Sequence, residues 1–377
     1  MKKIAFVCNV AYPFYIFRLG AMRRLSKEYQ IYCIASADGR VDDLRREGFK
    51  FVNVDIERKG VNPFRDLRLL LRLYKIYKKE KFSYIFHYSI KPNIYGSIAA
   101  AMAGICSFSV ITGLGYAFSE KNLVSLVVKI LYKFVLIFPK KIFFLNNDDR
   151  DVFIKNKLVS PDKTFTLPSE GVDTDFYAPV LQVKASKSQF VFLFAGRFLW
   201  DKGVGDLVEA IKSVKEIYPQ AELWLLGMID KGNPRGIPED VIHSWEQDGI
   251  IKYLGETNDV RSFIAQSDVA VYPSYYQEGV PRFLLESMSM EKPIITTDSV
   301  GCKEVIEDGK NGIMIKPKSV DSLVKAMMRM VGLSEQERID MGKYGRQKAV
   351  QEFAEEKVIR IYLKTVSDCA KEGGILK

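Results

Sequence analysis

Short apolar runs alternate with longer amphipathic stretches along most of the chain. The apolar runs of the first half predict strands at residues 4–10, 31–35, 51–56, 84–88, 108–111 and 141–145. The stretches between them have helical periodicity and predict helices at residues 15–28, 63–79, 92–103, 121–138 and 148–156. Regular alternation of strand and helix is typical of a mostly parallel sheet covered by helices on both faces.

The alternation stops at residues 178–188, whose short polar composition predicts a linker, and then begins again. Strands of the second half are predicted at residues 190–195, 222–226, 250–254, 269–272, 293–297 and 312–315. We therefore predict an α/β protein with two doubly wound, Rossmann-like domains, 1–180 and 181–352. A last amphipathic helix follows at 353–371, and we expect residues 353–377 to pack back on the first domain. Because such sheets bind ligands beyond the carboxyl ends of their strands, we expect the two domains to face each other across a cleft.

Length and composition agree with a globular protein of two domains. At 377 residues the chain is longer than one hydrophobic core usually supports. The five cysteines, at positions 8, 33, 106, 302 and 369, are scattered and lack metal-ligand spacing, which predicts reduced thiols in a cytoplasm. Met1-Lys-Lys is followed directly by the first predicted strand, so we expect no secretory signal. The chain has only two histidines, His87 and His243, and we expect neither a zinc site nor a histidine-based triad.

Positive charge is concentrated in the first half of the chain. Residues 1–182 hold 29 Lys and Arg against 17 Asp and Glu, whereas residues 183–377 hold 27 against 29. This asymmetry predicts that the first domain faces an anionic membrane or another polyanion. The basic residues cluster in an amphipathic helix at 65–79, and a nearly apolar segment at 123–138 contains Lys129 and Lys133, which argue against a membrane-spanning helix.

The apolar segment at 123–138 has two interpretations. A helix with aromatic and lysine residues fits a position in the interface of an anionic membrane. The alternative is a core helix whose lysine side chains extend to the solvent. With the charge asymmetry, the first interpretation predicts a cytoplasmic protein held peripherally on the inner face of the cell membrane.

Two acids, Glu278 and Glu286, bracket a glycine-containing turn that leads from a buried strand into an apolar helix start. This layout directs backbone N–H groups and a helix dipole at an anion. Glu278 would lie at the turn and Glu286 about one helical turn inside the helix. The alternative interpretation is a helix start with two solvated acids.

The loop after the strand at 190–195 carries glycine and two cations. Gly196 allows a sharp turn, and Arg197 and Lys202 place two positive charges beside the strand end. Two cations and a helix start can bind a diphosphate without a metal ion. Gly227 follows the next strand and permits another tight turn at the same edge. Two surface cations at a strand–helix loop are the alternative.

These motifs resemble those of the retaining glycosyltransferases of family 4, which have the GT-B fold of two facing Rossmann-like domains. The resemblance rests on four segments in the second half, Gly196–Gly203, Glu278–Glu286, Asp298–Glu304 and Asp308–Gly312. In the first half, residues 91–96 and 112–118 resemble the branch that acts on polyprenyl-diphosphate-linked sugars. The resemblance covers essentially the whole chain.

The resemblance implies a role for each donor-site residue. Arg197 and Lys202 would hold the nucleotide diphosphate, with Gly196 and Gly227 beside it, and Glu286 would bind the ribose hydroxyls. Catalytic roles would fall to Arg197, Lys202 and Glu278, and Glu278 would bind hydroxyls of the donor sugar. The Gly279 and Val280 amides would meet sugar or phosphate oxygens.

The first domain would bind the acceptor. The residues predicted for this role are Asn9, Tyr12, Arg18, Lys91, Asn93, Thr112, Gly113, Gly115 and Tyr116. Many relatives carry a histidine near the position of Thr112, and this chain has none there. His87 is a candidate substitute, although a histidine at a strand end is often structural. Arg18 would either neutralise the acceptor diphosphate or lie on the surface.

A finer resemblance at residues 199–204 and 301–304 implies a particular substrate pair. The donor would be UDP-GalNAc, and the acceptor would be undecaprenyl-diphosphate-linked diacetylbacillosamine, extended by an α-1,3 linkage without metal or cofactor. A transferase with another donor is the nearest alternative. A sugar-nucleotide epimerase or hydrolase is disfavoured by the scarcity of histidine. A non-enzymatic binder of nucleic acid or anionic lipid is the third alternative. The acidic second half disfavours a nucleic-acid groove, and we expect no nucleic-acid partner.

Overall fold

A computed structural model describes residues 1–57, 62–114, 123–180 and 189–373. The chain divides into two compact units, one formed by Met1–Gly171 with Glu355–Lys377 and the other by Val172–Ala354. The change from the first unit to the second therefore comes at 171/172, nine residues before the predicted domain boundary, and the last helix belongs to the first unit.

The first unit is built on a seven-stranded sheet whose neighbouring strands are all parallel. Its strands are β1 (Lys2–Val10), β2 (Tyr29–Ser36), β3 (Lys50–Asn53), β4 (Tyr84–Tyr88), β5 (Cys106–Ile111), β6 (Lys141–Phe144) and β7 (Thr164–Thr166). They lie in the order β3-β2-β1-β4-β5-β6-β7. β7 was not predicted, because three residues without a strong apolar run give no strand signal.

Eight helices of the described first unit cover this sheet. They are α1 (Tyr12–Phe17), α2 (Leu19–Leu25), α3 (Val41–Arg46), α4 (Pro63–Glu80), α5 (Ser97–Ala103), α6 (Leu123–Val135), α7 (Asn147–Lys155) and, from the chain end, α14 (Glu355–Gly373). The predicted helix at 15–28 is thus two helices that meet at Arg18. A turn of π-helix at Pro92–Gly96 precedes α5.

The two faces of the first sheet have separate cores. Ile4, Phe6 and Phe86 point to the face that is covered by α1, α2, α3 and α14. Ala5, Val7 and Ile85, in the alternate positions, point to the face that is covered by α4 and α5, and α6 and α7 pack farther along the same face. Among the described residues, no helix is both long and apolar enough to cross a membrane.

Local sequence explains the long helix α4. The Asn62 side chain accepts hydrogen bonds from the amides of Phe64 and Arg65 at 3.1 and 3.2 Å, and Pro63 occupies the first turn. Leu69, Leu73 and Tyr77 recur every four residues and form the buried stripe. The basic residues predicted for 65–79 lie at exposed positions of the helix.

The second unit has a six-stranded parallel sheet. Its strands are β8 (Phe190–Ala195), β9 (Ala221–Leu226), β10 (Lys252–Tyr253), β11 (Val269–Tyr272), β12 (Ile294–Thr297) and β13 (Gly312–Ile315), in the order β10-β9-β8-β11-β12-β13. Its helices are α8 (Val204–Ile217), α9 (Glu239–Gln247), α10 (Arg261–Gln266), α11 (Arg282–Ser289), α12 (Val320–Gly332) and α13 (Glu335–Lys348). The prediction of two doubly wound parallel-sheet domains is confirmed.

The cysteines differ from the prediction of free thiols throughout. Cys8, Cys33 and Cys302 are free and buried. Cys106, at the start of β5, and Cys369, on α14, are joined by a disulfide. Their wide spacing in the sequence gave no indication of this pair, because 263 positions separate them.

We expect Tyr362→Ala to destabilise the first unit. Tyr362 is fully buried on α14, with its ring 4.9 Å from that of Phe86 and its hydroxyl 3.3 Å from that of Tyr88. Removing a buried aromatic ring costs about 3–5 kcal/mol. Hydrogen exchange of the β1 amides measures the effect in this unit alone. Tyr362→Phe is the control and should cost about 1 kcal/mol, because it loses only a hydrogen bond. If Tyr362→Ala costs no more than Tyr362→Phe, the packing of α14 on the sheet would be contradicted.

Candidate active site

The carboxyl ends of β8 and β11 are neighbours at the point where the strand order of the second sheet reverses. Crevices at such reversal points are where doubly wound sheets bind ligands. The loop after β8 carries Gly196, Arg197 and Lys202, and the loop after β11 carries Glu278. The sheet therefore brings predicted donor-site residues from separate parts of the chain to one edge.

Backbone hydrogen bonds fasten these two loops together. The amides of Tyr275 and Tyr276 donate to the Asp201 carbonyl at 3.0 and 3.1 Å. Asp201 lies in a turn of 3-10 helix at Trp200–Lys202, which ends at Gly203. The position of Lys202 is therefore tied to the loop that follows β11.

The Lys202 side chain lies at the centre of a small charged cluster. Its Nζ atom is 3.2 Å from Glu278 Oε1 and contacts the Tyr272 hydroxyl. The Tyr272 hydroxyl and Ser274 Oγ donate to the same carboxylate oxygen at 2.8 and 3.2 Å. Lys202 is only 7% exposed, so Glu278 compensates a cation that is largely withdrawn from water. The structure thus joins residues that we predicted separately for diphosphate and for sugar.

Tyr272 of this cluster and the nearby Cys302 both stay protonated at neutral pH. Burial, with a smaller effect of the Glu278 charge, raises the pKa of the Tyr272 hydroxyl well above its usual value. The same causes raise the pKa of the Cys302 thiol to about 11. Tyr272 can therefore donate its hydroxyl hydrogen to Glu278, and Cys302 does not provide a thiolate nucleophile.

Arg197 is half exposed and pairs with an acid that sequence reasoning missed. Its Nη1 atom lies 3.2 Å from Asp230 Oδ2, and Asn233 Nδ2 donates to the same oxygen at 2.8 Å. The Asp230 loop, after β9, is hydrogen-bonded to the loop after β8 through the Phe198 amide and the Met228 carbonyl at 3.0 Å. An exposed pair of this kind is worth at most about 1 kcal/mol. An incoming anion can therefore replace Asp230 as the partner of Arg197.

Two glycines are required by close backbone contacts. Gly227 has a φ of 137°, and a Cβ atom there would lie 2.0 Å from the Gly196 carbonyl oxygen. Gly301 has a φ of 82°, and its Cβ atom would lie 2.0 Å from the Gly279 carbonyl oxygen. The turns that carry Gly196 and Gly279 are therefore each supported from behind by a neighbouring loop.

Glu286 belongs to a different charge pair from Glu278. It is the fifth residue of α11 and is mostly buried. Its Oε1 atom accepts from Arg282 Nε at 2.6 Å, one helical turn earlier. Burial and the Glu286 charge raise the pKa of the nearby Tyr177 hydroxyl. A ribose hydroxyl would therefore have to donate a hydrogen bond to the Glu286 carboxylate alongside Arg282.

In the first sheet the strand order reverses between β1 and β4, and two polar residues meet there. Ser89, just after β4, donates to Asn9 Oδ1 at 2.7 Å. Ser89 has a φ of 65°, a conformation that residues other than glycine seldom adopt. We had predicted Asn9 but not Ser89, because nothing in the sequence indicates a left-handed serine. Tyr12, also predicted, is half exposed, and its amide donates to Asp38 Oδ2 at 2.7 Å.

The predicted acceptor residues Lys91 and Asn93 flank the start of the π-helical turn. Lys91 Nζ lies 2.7 Å from Asp66 Oδ1, and Tyr95 donates to the other oxygen of this buried acid at 2.9 Å. Asn93 is fully buried, and its Nδ2 atom donates to the Val110 carbonyl at 3.0 Å. Asn93 therefore fixes the turn against β5, and its buried side chain is not exposed to an acceptor substrate.

Arg18 is not the surface residue that one of our two interpretations expected. It is 3% exposed, its Nη2 atom pairs with Glu170, and its Nη1 atom donates to the Pro13 carbonyl at 3.0 Å. Its guanidinium lies 3.9 Å from the centre of the Tyr88 ring. Arg18 therefore lies at the junction of α1 and α2 with its charge paired inside the first unit.

His87 likewise lies in the interior. It is fully buried on β4, where its Nε2 atom contacts the Tyr77 hydroxyl at 3.1 Å and its Nδ1 atom contacts Ser97 Oγ at 3.4 Å. Burial lowers the pKa of the imidazole to about 3. A neutral ring with both nitrogens engaged inside the core cannot take a proton from a bound acceptor. The structural interpretation of His87 is therefore the one that its surroundings support.

The remaining predicted acceptor residues follow β5. Thr112 and Gly113 are partly buried, and Gly113 has a φ of 139°. Gly115 and Tyr116 lie outside the described residues, so their role rests on the sequence alone. Across the part of the chain that the structure describes, no group of three or more His, Cys, Asp or Glu side chains could hold a metal ion.

Comparison with known families decides the class of protein. Residues 3–146 match the family described as glycosyl transferase 4-like, and residues 181–348 match the family described as glycosyl transferases group 1. The chain is a glycosyltransferase, and each of the two families accounts for one of its halves. The family predicted from the motifs, the GT-B fold class and the assignment as a transferase are thereby confirmed.

Two curated relatives match most of the chain. One is the N,N'-diacetylbacillosaminyl-diphospho-undecaprenol alpha-1,3-N-acetylgalactosaminyltransferase of Campylobacter jejuni, 27% identical over 96% of this chain and 97% of the relative. The other is the UDP-Gal:alpha-D-GlcNAc-diphosphoundecaprenol alpha-1,3-galactosyltransferase of Escherichia coli, 27% identical over 81% of each chain. Among solved structures, a glycosyltransferase from Rickettsia africae superposes with a TM-score of 0.82 over 98% of this chain and 99% of its own, at 18% identity. At that identity the likeness concerns the fold.

We expect His87→Gln to reduce the acid sensitivity of the protein. The pKa of a histidine is about 6.5 in an unfolded chain and about 3 in this fold. The unfolded state therefore binds more protons between these values, and the stability that neutral His87 contributes is present above pH 6.5 and is lost as the pH falls toward 3. The slope is at most about 1.4 kcal/mol per pH unit.

Urea unfolding at a series of pH values between 4 and 7 measures this slope. The control is His243→Gln, since His243 is exposed on α9 and should leave the slope unchanged. A slope in His87→Gln equal to that of the wild type would contradict the lowered pKa of the buried imidazole. Loss of glycosyl transfer from a variant that remains folded would restore a functional role for His87.

Proposed function

We propose that this glycosyltransferase moves a sugar from a UDP-sugar to an undecaprenyl-diphosphate-linked saccharide, with retention of configuration at the transferred carbon. The observation that carries the proposal is the buried Lys202 ammonium held against Glu278 at the β8–β11 reversal point. The relatives' substrates supply the rest: GalNAc as the donor sugar, and diacetylbacillosamine as the acceptor with an α-1,3 linkage. Another donor sugar is the alternative that the Escherichia coli relative suggests.

The two cations of the β8 loop suit a nucleoside diphosphate. Lys202 is fixed by its buried partners, whereas Arg197 is exposed and its present partner Asp230 is weakly held. The diphosphate would take Arg197 from Asp230 and add a phosphate oxygen to the contacts of Lys202. Both cations would then stabilise the negative charge that grows on the departing UDP, which is the task a metal ion performs in other transferases. We therefore expect no metal or cofactor to be needed.

The acids would bind the two sugars of the donor. Glu278 would accept hydrogen bonds from hydroxyls of the transferred sugar, with the Gly279 and Val280 amides directed at sugar or phosphate oxygens. Glu286 would bind the ribose. In the transfer step the bond between the sugar C1 and the diphosphate oxygen breaks, and a bond from C1 to the acceptor oxygen forms on the same face. The acceptor proton would pass to the leaving phosphate, which needs no histidine.

The first unit would bind the acceptor. Asn9, Tyr12, Lys91 and the Thr112-Gly113 turn remain the residues proposed for this role, with Gly115 and Tyr116 added on sequence grounds. We leave out Arg18, Asn93 and His87, because each is buried and hydrogen-bonded to its own unit.

Two helices on one face of the first sheet support binding to an anionic membrane. On α6 and just after it, exposed apolar side chains recur every three or four residues from Leu126 through Ile130 and Phe134 to Ile137, and Phe138 follows directly. They share the segment with Lys129 and Lys133. On α4, exposed Phe64, Leu67 and Leu71 line a groove of about 360 Å³ with Arg68, Arg72 and Lys75. Apolar side chains interleaved with cations suit an anionic lipid surface. We propose that the protein is cytoplasmic and binds the inner face of the membrane, where a polyprenyl acceptor resides.

Transfer to a polyprenyl-linked acceptor is tested by measuring UDP release from a panel of donors. The panel is UDP-GalNAc, UDP-GlcNAc, UDP-Gal, UDP-Glc and GDP-Man, each with and without undecaprenyl-diphospho-diacetylbacillosamine and with EDTA. We expect acceptor-dependent release from UDP-GalNAc that EDTA does not reduce. Release that ignores the acceptor would indicate a hydrolase or epimerase, and release from no donor would contradict the proposed substrates.

Lys202→Ala should lower kcat/KM in this assay by about 10²-fold, because it removes a cation beside the leaving group. Lys212→Ala is the matched control, since Lys212 lies on the exposed surface of α8, where it pairs with Glu209 one helical turn earlier. Equal turnover in the two variants would remove Lys202 from the site.

Flotation with liposomes tests the membrane surface. We expect the protein to float with vesicles of phosphatidylglycerol and phosphatidylethanolamine at low salt, and much less with phosphatidylcholine vesicles. Phe134→Glu should reduce capture several-fold, because Phe134 is 64% exposed at the centre of the α6 stripe. Ile217→Glu, at an equally exposed position of the second unit, is the control. Equal capture of both variants would contradict docking through α6.

A further inference from the structure

We propose that Tyr272 is a positioning residue of the donor site, whose hydroxyl links Lys202 to Glu278 and sets the direction of both charged groups. The inference rests on the proposed function, because it concerns the two groups that would meet the diphosphate and the transferred sugar. Neither the predicted motifs nor the relatives' names assign a role to this residue.

The Tyr272 ring is held rigidly. It is the last residue of β11, it is 3% exposed, and it stacks on Phe194 of β8 with 5.3 Å between ring centres and 6° between planes. The Phe283 ring of α11 lies 6.3 Å away. The Tyr272 carbonyl accepts a hydrogen bond from Thr296 Oγ1 of β12 at 2.8 Å. Contacts with two strands and one helix therefore fix the point at which the hydroxyl emerges.

The chemistry of the three groups allows one hydrogen-bond arrangement. An ammonium can only donate and a carboxylate can only accept, whereas a hydroxyl can do both. The Tyr272 hydroxyl must therefore accept from Lys202 and donate to Glu278 Oε1, which lies 2.8 Å away. The same Glu278 oxygen lies 3.2 Å from Lys202 Nζ, which closes a three-membered network. High pKa values caused by burial keep the phenol protonated for this role.

This network fixes the geometry of an ion pair that is already in direct contact at 3.2 Å, because the Tyr272 hydroxyl binds both members of the pair. Without the hydroxyl, each charged group would lose one fixed hydrogen-bond partner, and its direction toward a ligand would be less closely defined. Phosphate binding by Lys202 and sugar binding by Glu278 would then weaken together. A tyrosine that only filled the core would affect neither group when replaced by phenylalanine.

Tyr272→Phe tests the role, because it keeps the ring and removes the oxygen. We expect kcat/KM for the donor to fall about tenfold, the loss that one hydrogen bond to a charged group produces. UDP affinity, measured by calorimetry without acceptor, should fall several-fold. The matched control is Tyr344→Phe, since the Tyr344 hydroxyl donates to Glu307 Oε2 at 2.8 Å, near the opposite end of the second sheet, and its loss should leave both quantities unchanged.

Double variants distinguish positioning from simple packing. Adding Tyr272→Phe to Lys202→Ala, or to Glu278→Gln, should cost much less than tenfold, because the network is already broken. Wild-type UDP affinity and turnover in Tyr272→Phe, or effects that multiply in both double variants, would overturn the inference. If the wild-type protein fails to bind UDP, the proposed function fails, and the inference fails with it. If the wild-type protein binds UDP but transfers no sugar, the UDP affinity of Tyr272→Phe alone decides the inference.

Discussion

The proposed donor site depends on one buried charge, the Lys202 ammonium. A lysine with 7% exposure at the end of a sheet needs a fixed anion close by, and Glu278 supplies it at 3.2 Å. That requirement ties the loop after β8 to the loop after β11, which the Asp201 backbone contacts reinforce. The glycines behind these loops allow the close approach that brings the cation and the acid together. A diphosphate arriving at this edge would add to an arrangement that is already set, which favours binding without large rearrangement.

The sequence was sufficient for the fold because the signals for it are local and repeated. In the part of the chain that the structure describes, most of the thirteen strands alternate with helices, and most were predicted from apolar runs. The grouping of the proposed donor-site residues was predictable for a related reason: they stand in loops that follow strands, where the topology of a parallel sheet gathers them. Arg197, Lys202 and Glu278 could be named in this way without knowledge of their contacts.

The errors concern residues whose role depends on contacts far away in the sequence. Arg18 is buried because Glu170, 152 positions later, neutralises it. His87 is buried because Tyr77, Gly96 and Ser97 surround its ring. Asp230, Ser89 and Tyr272 were missed since an aspartate, a serine and a tyrosine in these positions have no distinguishing local pattern. Only the assembled sheet shows which of them meet the predicted groups.

The central claim is that the Lys202 cluster binds the diphosphate of a nucleotide sugar. A crystal structure with UDP tests it most directly. We predict a phosphate oxygen at about 2.7–3.2 Å from Lys202 Nζ, with Lys202 still in contact with Glu278 and with Arg197 moved from Asp230 to the diphosphate. UDP bound at another strand end, or Lys202 and Arg197 still in contact only with their present partners, would contradict the account.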